Sequence, residues 1–310
     1  MHRLIFILLV VLVISPVLAV DPASSEPAPL AAHGLLLDVT NTGDKLVAVG
    51  DHGHVIISRD NGRSWTQSLT PTRVLLTGVS FPDAQHGWAV GHDGVIIATG
   101  DGGQTWQRQD DGKGFDTVLL DVLFLDATRG FAVGAYGKFL ATIDGGKHWI
   151  AGKPASDEVH YNRITAAADG YLYLAGESGT LLASKDGGIN WIKAEVPYDD
   201  SLFGVLPLDN GRLIAYGLRG HILRSDDHGA NWAQENSDVK VLIMGGTRLK
   251  NGAVLLGGQG GNFFVSRDSG CTFRHWKPED FGTSVADLVE TADGGLATVG
   301  EAGAVRVNLP

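Results

Sequence analysis

Between residues 76 and 110 the apolar residues fall into four short runs: Leu76–Phe81, Gly87–Val90, Val95–Thr99 and Trp106–Asp110. Turn-forming residues separate them. Short alternating runs bounded by such residues predict an antiparallel meander of four strands. The pattern then recurs: the third run reads VIIS from Val55, VIIA from Val95, FLAT from Phe139, LLAS from Leu181 and ILRS from Ile222. A repeat of about 41 residues, each holding four strands, predicts the blades of a β-propeller.

The turn between the third and fourth runs is the most regular part of the unit. It reads SRDNGRSW from Ser58 to Trp65, and five similar boxes start at Thr99, Thr142, Ser184, Ser225 and Ser266. The shared pattern is [ST]-x-D-x-G-x-x-[WF]. Each position has a physical job. The carboxylates of Asp60, Asp101, Asp144, Asp186, Asp227 and Asp268 can fold back onto the amides of their own turn. The glycines Gly62, Gly103, Gly146, Gly188, Gly229 and Gly270 supply a backbone conformation with φ > 0. The aromatic opens the fourth strand and buries its ring between units. Six near-copies read as structural turns, not as catalytic groups. A second signature, G-x-x-G, sits eight residues before each box, at Gly50–Gly53 and five equivalents, and a seventh copy at Gly300–Gly303 has no box after it.

These boxes resemble the Asp-box repeats of sialidases, sortilin-type receptors and several glycosidases. Whole units, such as Gly78–Trp106 and Asp121–Trp149, resemble the photosystem II stability/assembly factor family, and the resemblance covers roughly residues 35 to 307. It implies an all-β fold, a seven-bladed β-propeller of four-stranded antiparallel blades. It also implies a chaperone or assembly role for a membrane protein complex, without enzymatic activity. A relative acting with an envelope transporter component of a non-photosynthetic bacterium fits the residues equally, because the variable loops are not uniformly Arg-rich.

Length and composition agree. A chain of 310 residues is an ordinary size for one all-β domain, and 43 glycines suit short strands joined by tight turns. The net charge of −11 comes without any Lys/Arg block, which argues against a nucleic-acid footprint. Met1–Ala19 reads as a signal peptide: Arg3, an apolar run from Leu4 to Ile14, then Pro16 and a cleavage point after Ala19. The propeller, residues 35–310, is therefore expected outside the cytoplasm, periplasmic or lumenal, peripheral to the membrane and monomeric. The single cysteine, Cys271, excludes an intrachain disulfide. Residues 20–34 read as a linker. Part of Ser24–Gly34 is expected to supply the fourth strand that the last blade lacks, beside Val305–Val307, with Pro27 and Pro29 keeping the pairing short.

Meander connectivity puts the boxes and the first-to-second-strand turns on one face. The G-x-x-G turns and the blade-to-blade connections share the other. The second face varies from blade to blade, and variation on a fixed scaffold is where a site can be grafted. The candidate binding residues on that rim are Arg73, His92, Tyr136, His160, Tyr161, Arg163, Glu177 and Arg219, densest on blades three to five.

Three other chemistries fit the sequence less well. A sialidase-like glycoside hydrolase needs three converging Arg residues, a Tyr nucleophile and an acid/base carboxylate. Arg73, Arg163, Arg219, Tyr136 or Tyr161, and Asp93, Asp116, Glu177, Asp200 or Glu301 are the residues available for it. No Arg-Ile-Pro segment opens the chain. A metal site from His52, His54 and His92 with Asp51 and Asp93 matches no ligand spacing. The G-x-x-G turns precede strands and not helices, so they fail as dinucleotide loops. No cofactor is expected.

Overall fold

The computed structural model describes residues 23–109, 117–155, 158–235 and 239–310. The expected signal peptide, with its cleavage point at Ala19, lies outside the described residues, as does Asp116. Seven antiparallel sheets form the molecule, six of four strands and one of three, each in simple meander order. The four runs between residues 76 and 110 become the strands Leu76–Ser80, Gly87–Gly91, Ile96–Thr99 and Gln107–Arg108. The innermost strands are Leu36–Asn41, Leu76–Ser80, Leu119–Phe124, Tyr161–Ala166, Leu202–Pro207, Ile243–Arg248 and Val285–Glu290.

The core lies between neighbouring blades. Val47, Val49 and Val55 of the first blade pack on Leu76, Val79, Ala89 and Ile97 of the second. Each box aromatic reaches back to the preceding blade: Trp106 sits against Ile57, and Trp149 against Ala98. Burial of one such ring contributes about 2–3 kcal/mol. The repeat thus stores its stability in interfaces that only a neighbour can complete.

The first glycine of each G-x-x-G turn is required by close approach. Its backbone is extended, with φ of −178° at Gly50. A Cβ on Gly50 would lie 2.1 Å from the Leu35 carbonyl oxygen, and one on Gly258 would lie 1.9 Å from that of Leu242. Those carbonyls accept the N–H of the next residue, as in Asp51 to Leu35 at 2.9 Å and Gln259 to Leu242 at 2.9 Å. The turn is thereby pinned to the start of its own inner strand.

The fourth strand expected from Ser24–Gly34 is not formed. Pro27 and Pro29 have no amide hydrogen to offer, and the segment turns to blade one instead. Ser25 N–H donates to the Thr70 carbonyl at 2.9 Å, and Ala28 N–H to Gln67 Oε1 at 2.7 Å. Ala31–His33 is a single 3-10 turn lying against Gly303 and Ala304, and it forms no strand beside Val305–Val307. A Cβ on Gly303 would meet the Ala32 carbonyl oxygen at 2.0 Å, as one on Gly53 would meet Thr72 and one on Gly179 would meet Tyr198, both at 2.1 Å. The N-terminal turn therefore takes the place of a blade-to-blade connection, and the outer strand of blade seven is Gly303–Val307. Polar ties complete the ring: Arg306 Nη1 donates to the Asn61 carbonyl at 2.6 Å, and Asn41 Nδ2 to that of Glu290 at 2.7 Å.

Candidate binding face and the charged centre

The Asp-box face is closed upon itself. In the first box Ser58 Oγ donates to Asp60 Oδ1 at 2.8 Å and accepts the Gly62 N–H at 2.8 Å. The Ser64 N–H donates to Oδ1 at 2.9 Å and its hydroxyl to Oδ2 at 2.6 Å. The Ser64 hydroxyl, then the Ser64 amide and the Ser58 hydroxyl, hold the Asp60 carboxyl down at about 2. The other boxes repeat the arrangement with Thr105, His148, Asn190, Asn231 and Thr272 in the place of Ser64. That seventh position is a hydrogen-bond donor in every copy. Sequence reading left it as an unspecified residue, although the column Ser, Thr, His, Asn, Asn, Thr was visible in the boxes.

On the opposite face the third residue of each G-x-x-G turn is not so constrained in identity. His52, Asp93, Tyr136 and Arg219 hold left-handed φ values between 54° and 57° there, and Ser178 holds 53° in the fourth turn. Non-glycine residues in that region cost energy, so each turn projects its side chain from a stiff support. Tyr136 is 72 % exposed. Its ring stands edge-on to His160, with centroids 4.8 Å apart. The His160 amide donates to Glu177 Oε2 at 3.1 Å, and Nδ1 lies 3.5 Å from Oε1. Tyr136, His160 and Glu177 therefore form one continuous ridge across blades three and four. Arg219 follows on blade five, paired with Asp200 at 3.0 Å and largely exposed. His92 is exposed on its own turn in blade two. Arg73 lies on this face but is engaged: Nε donates to the Ser24 carbonyl at 2.6 Å, and Nη2 lies 2.7 Å from Glu26. Among the described residues no group of three or more His, Cys, Asp or Glu converges to hold a metal ion.

Two candidates stand elsewhere. Tyr161 is fully buried, the first residue of an inner strand and part of the core with Phe139 and Ile164. Arg163 belongs to the ring centre and not the rim. The physical reason is a β-bulge. All seven inner strands slip register after their first residue, as between Leu36 and Asp38 or Tyr161 and Arg163, and a bulge re-aims the side chain that follows it. The residues after the bulges are Asp38, Gly78, Asp121, Arg163, Gly204, Gly245 and Asp287.

Arg163 rises from blade four and reaches the two blades farthest from it. Its Nη2 lies 3.4 Å from Asp38 Oδ1 of blade one, and its Nη1 lies 3.5 Å from Asp287 Oδ1 of blade seven. The carboxylates also tie neighbours: Asp38 Oδ2 accepts the Val79 N–H at 2.7 Å, and Asp121 Oδ2 accepts the Ile164 N–H at 2.9 Å. The glycines have a reason in the same geometry, since a Cβ on Gly78 would press on Asp121 and one on Gly245 on Asp287, at 2.9 and 2.8 Å from the respective Cα atoms. Burial, partly offset by Arg163 and reinforced by Asp38, pushes the Asp121 carboxyl up to about 7. Burial likewise raises Asp287 well above the carboxylate range. Burial disfavours the Arg163 cation, but Asp287, Asp38 and Asp121 outweigh it and hold the guanidinium charged. Sequence reading missed all three acids. The signal was the aligned third position of the inner strands, which is only ever Asp, Arg or Gly.

The family described as "Photosynthesis system II assembly factor YCF48" matches residues 63–114 and 112–309. A photosystem II stability/assembly factor, HCF136, of Cyanidioschyzon merolae is 42% identical over 48 residues, 15% of this chain and 11% of that protein. The photosystem II assembly protein Ycf48 of Thermosynechococcus vestitus is 37% identical over 57 residues, 18% of this chain and 14% of its own length. The matched stretch thus spans only about a ninth to a seventh of these relatives. Among solved structures, YCF48 bound to a D1 peptide superposes with a TM-score of 0.73 at 20% identity, covering 95% of this chain and 97% of the other. YCF48 from Cyanidioschyzon merolae gives 0.71 at 16% identity, covering 92% and 99%. At such identities the likeness is one of fold.

Proposed function

The chain belongs to the photosynthesis system II assembly factor YCF48 family, and on that premise we propose that it is an exported, non-enzymatic propeller that holds a subunit of a membrane protein complex against its G-x-x-G face. The observation that carries this is the asymmetry of the two faces. One spends its polar groups on its own turns. The other presents the Tyr136–His160–Glu177 ridge beside Arg219, an exposed aromatic and a guanidinium, the pair that protein anchors favour. A relative whose structure holds a D1 peptide supports a peptide or loop of a membrane subunit as the bound element. The subunit belongs to a photosystem or to another envelope complex, a transporter component among them. His92 extends the surface toward blade two.

The glycosidase alternative is not favoured. Its three-Arg clamp would need Arg73, Arg163 and Arg219. The first is held by Ser24 and Glu26, the second by buried acids, and the third by Asp200. The boxes that suggest a sialidase lie on the face away from this ridge.

Affinity purification of the mature chain from detergent-solubilised membranes of its own host tests the reading. The expected result is a membrane subunit that co-purifies with the wild type and drops at least about tenfold with Tyr136→Ala/Arg219→Ala, while the melting temperature stays within about 2 °C. Equal recovery with the double variant would move the site elsewhere.

A further inference from the structure

Six of the seven blade interfaces receive a large box aromatic from the following blade. Trp106, Trp149, Trp191, Trp232 and Phe273 fill the interfaces from one–two to five–six, and Trp65 fills the closing one beside Val299 and Ala304. Among the described residues, the interface between blades six and seven has no such ring from blade seven. There, Val265 occupies the position that Ile57 holds beneath Trp106, four residues after the second glycine of its turn. Instead of a Trp, Val265 faces a pocket of about 290 Å³, lined also by Leu249, Ala253, Leu255, Leu309 and Pro310. Leu309 packs against the same cluster as Val265.

The same blade has an open edge. Gly303–Val307 pairs with Leu296–Gly300 alone, in a register that sets Gly300 opposite Gly303 and Val305 opposite Thr298. Alternation along an antiparallel ladder turns the N–H and C=O of Ala304 and Arg306 outward. Among the described residues no backbone bond is made to these outward groups. In the other six blades the corresponding groups pair with a fourth strand of two or three residues, which follows directly on the aromatic, as Thr66–Ser68 follows Trp65.

We propose that the outer edge of blade seven is a second docking site, which takes an extended segment of a partner protein as a fourth strand and seats one aromatic side chain of that segment in the pocket over Val265. The occupant's chemistry is read from the six internal examples: a Trp or Phe, then two or three extended residues whose main chain bonds the edge. Arg267, which donates to the Pro310 carbonyl, and Arg274 line the adjoining hollow beside Asp268, whose carboxylate is held by Ser266 and Thr272 of its own box, so Arg274 suits an acidic residue before or after the aromatic. Backbone bonding supplies tolerance of sequence, and the pocket supplies register. The site lies at the rim of blades six and seven, and it stands or falls separately from the Tyr136–Arg219 face.

The test uses the mature chain and a fluorescein-labelled peptide with the sequence of the chain's own Gly229–Glu235, GANWAQE, which forms the outer strand of blade five. Fluorescence anisotropy is expected to show saturable binding that weakens at least tenfold when the peptide Trp becomes Ala, and equally when alternate amides are N-methylated. Leu309→Trp is expected to fill the pocket from within, abolish peptide binding, and leave the melting temperature unchanged or raised. Tyr136→Ala/Arg219→Ala is expected to bind the peptide as wild type does. Absence of saturable binding at millimolar peptide, retention of binding by the N-methylated peptide, or indifference to Leu309→Trp would each overturn the proposal.

Discussion

The molecule uses aspartate in two places with opposite consequences. At the periphery, six Asp-box carboxylates sit in water and each is gripped by hydroxyls and amides of its own turn, so the ionised form is favoured. At the centre, Asp121 and Asp287 sit in the tightest part of the ring, so burial favours the neutral form, with Arg163 as the compensating cation. Local hydrogen bonding decides the first case and desolvation the second. A box carboxylate therefore stabilises one turn, whereas a central carboxylate is tolerable only while a residue of the opposite blade stays in place.

Removing that cation breaks the comparison hardest. Arg163→Ala leaves three acids around an uncompensated centre and is expected to cost about 3–5 kcal/mol, read as a drop in urea midpoint. An unchanged midpoint would show that the centre is hydrated and its charges are screened. This variant is therefore no probe of partner binding, and Tyr161→Ala fails the same way because its ring is core.

Next in size is a pH effect. Folded Asp121 keeps its proton up to about pH 7, while the unfolded chain loses it near 3.8. The folded state binds the extra proton between those values, so stability falls as pH rises through that window. The box carboxyls do the reverse: with Asp101 lowered from 3.8 to about 2, its contribution is present above 3.8 and lost as pH falls toward 2. The melting temperature is expected to rise from pH 8 to about 5.5 and to fall below about pH 4. Asp121→Asn should flatten the upper limb, gaining on the order of 1–4 kcal/mol at pH 8 and roughly half as much at pH 5.5. A wild-type curve flat from 5.5 to 8 would contradict the raised carboxyl.

A smaller loss is expected at the periphery. Asp101→Ala removes one box's ties and should cost about 1 kcal/mol at pH 7, with no change in the slope above pH 5. Smallest of all, Tyr136→Ser on the open face should stay within about 0.5 kcal/mol by thermal denaturation, because its ring is 72 % exposed.

Legibility followed range. The boxes could be read from the chain because the ties of the Asp60 carboxylate and the Ser58 hydroxyl, like those of the other boxes, join residues at most four apart. The ridge was partly legible: Tyr136, His160, Glu177 and Arg219 fall on the face that connectivity assigned to them. Arg163 was misplaced because its partner Asp38 lies 125 residues away and is reached only across the closed ring. Tyr161 was misplaced because a residue at the mouth of a strand looks like a loop residue until the strand's first position is known to be buried.

The sequence by itself determined the repeat, the number of blades, the strand order and which face varies, since these depend on period-two patterning and on turns whose bonds are local. Only the tertiary structure decided what meets at the axis, where the N-terminal turn lies, and which interface lacks its aromatic. Those outcomes depend on ring closure, which brings blade four against blades seven and one and sets Gly303 beside Ala32. Distances across a closed ring follow from its geometry as a whole and are written in no single stretch of the chain.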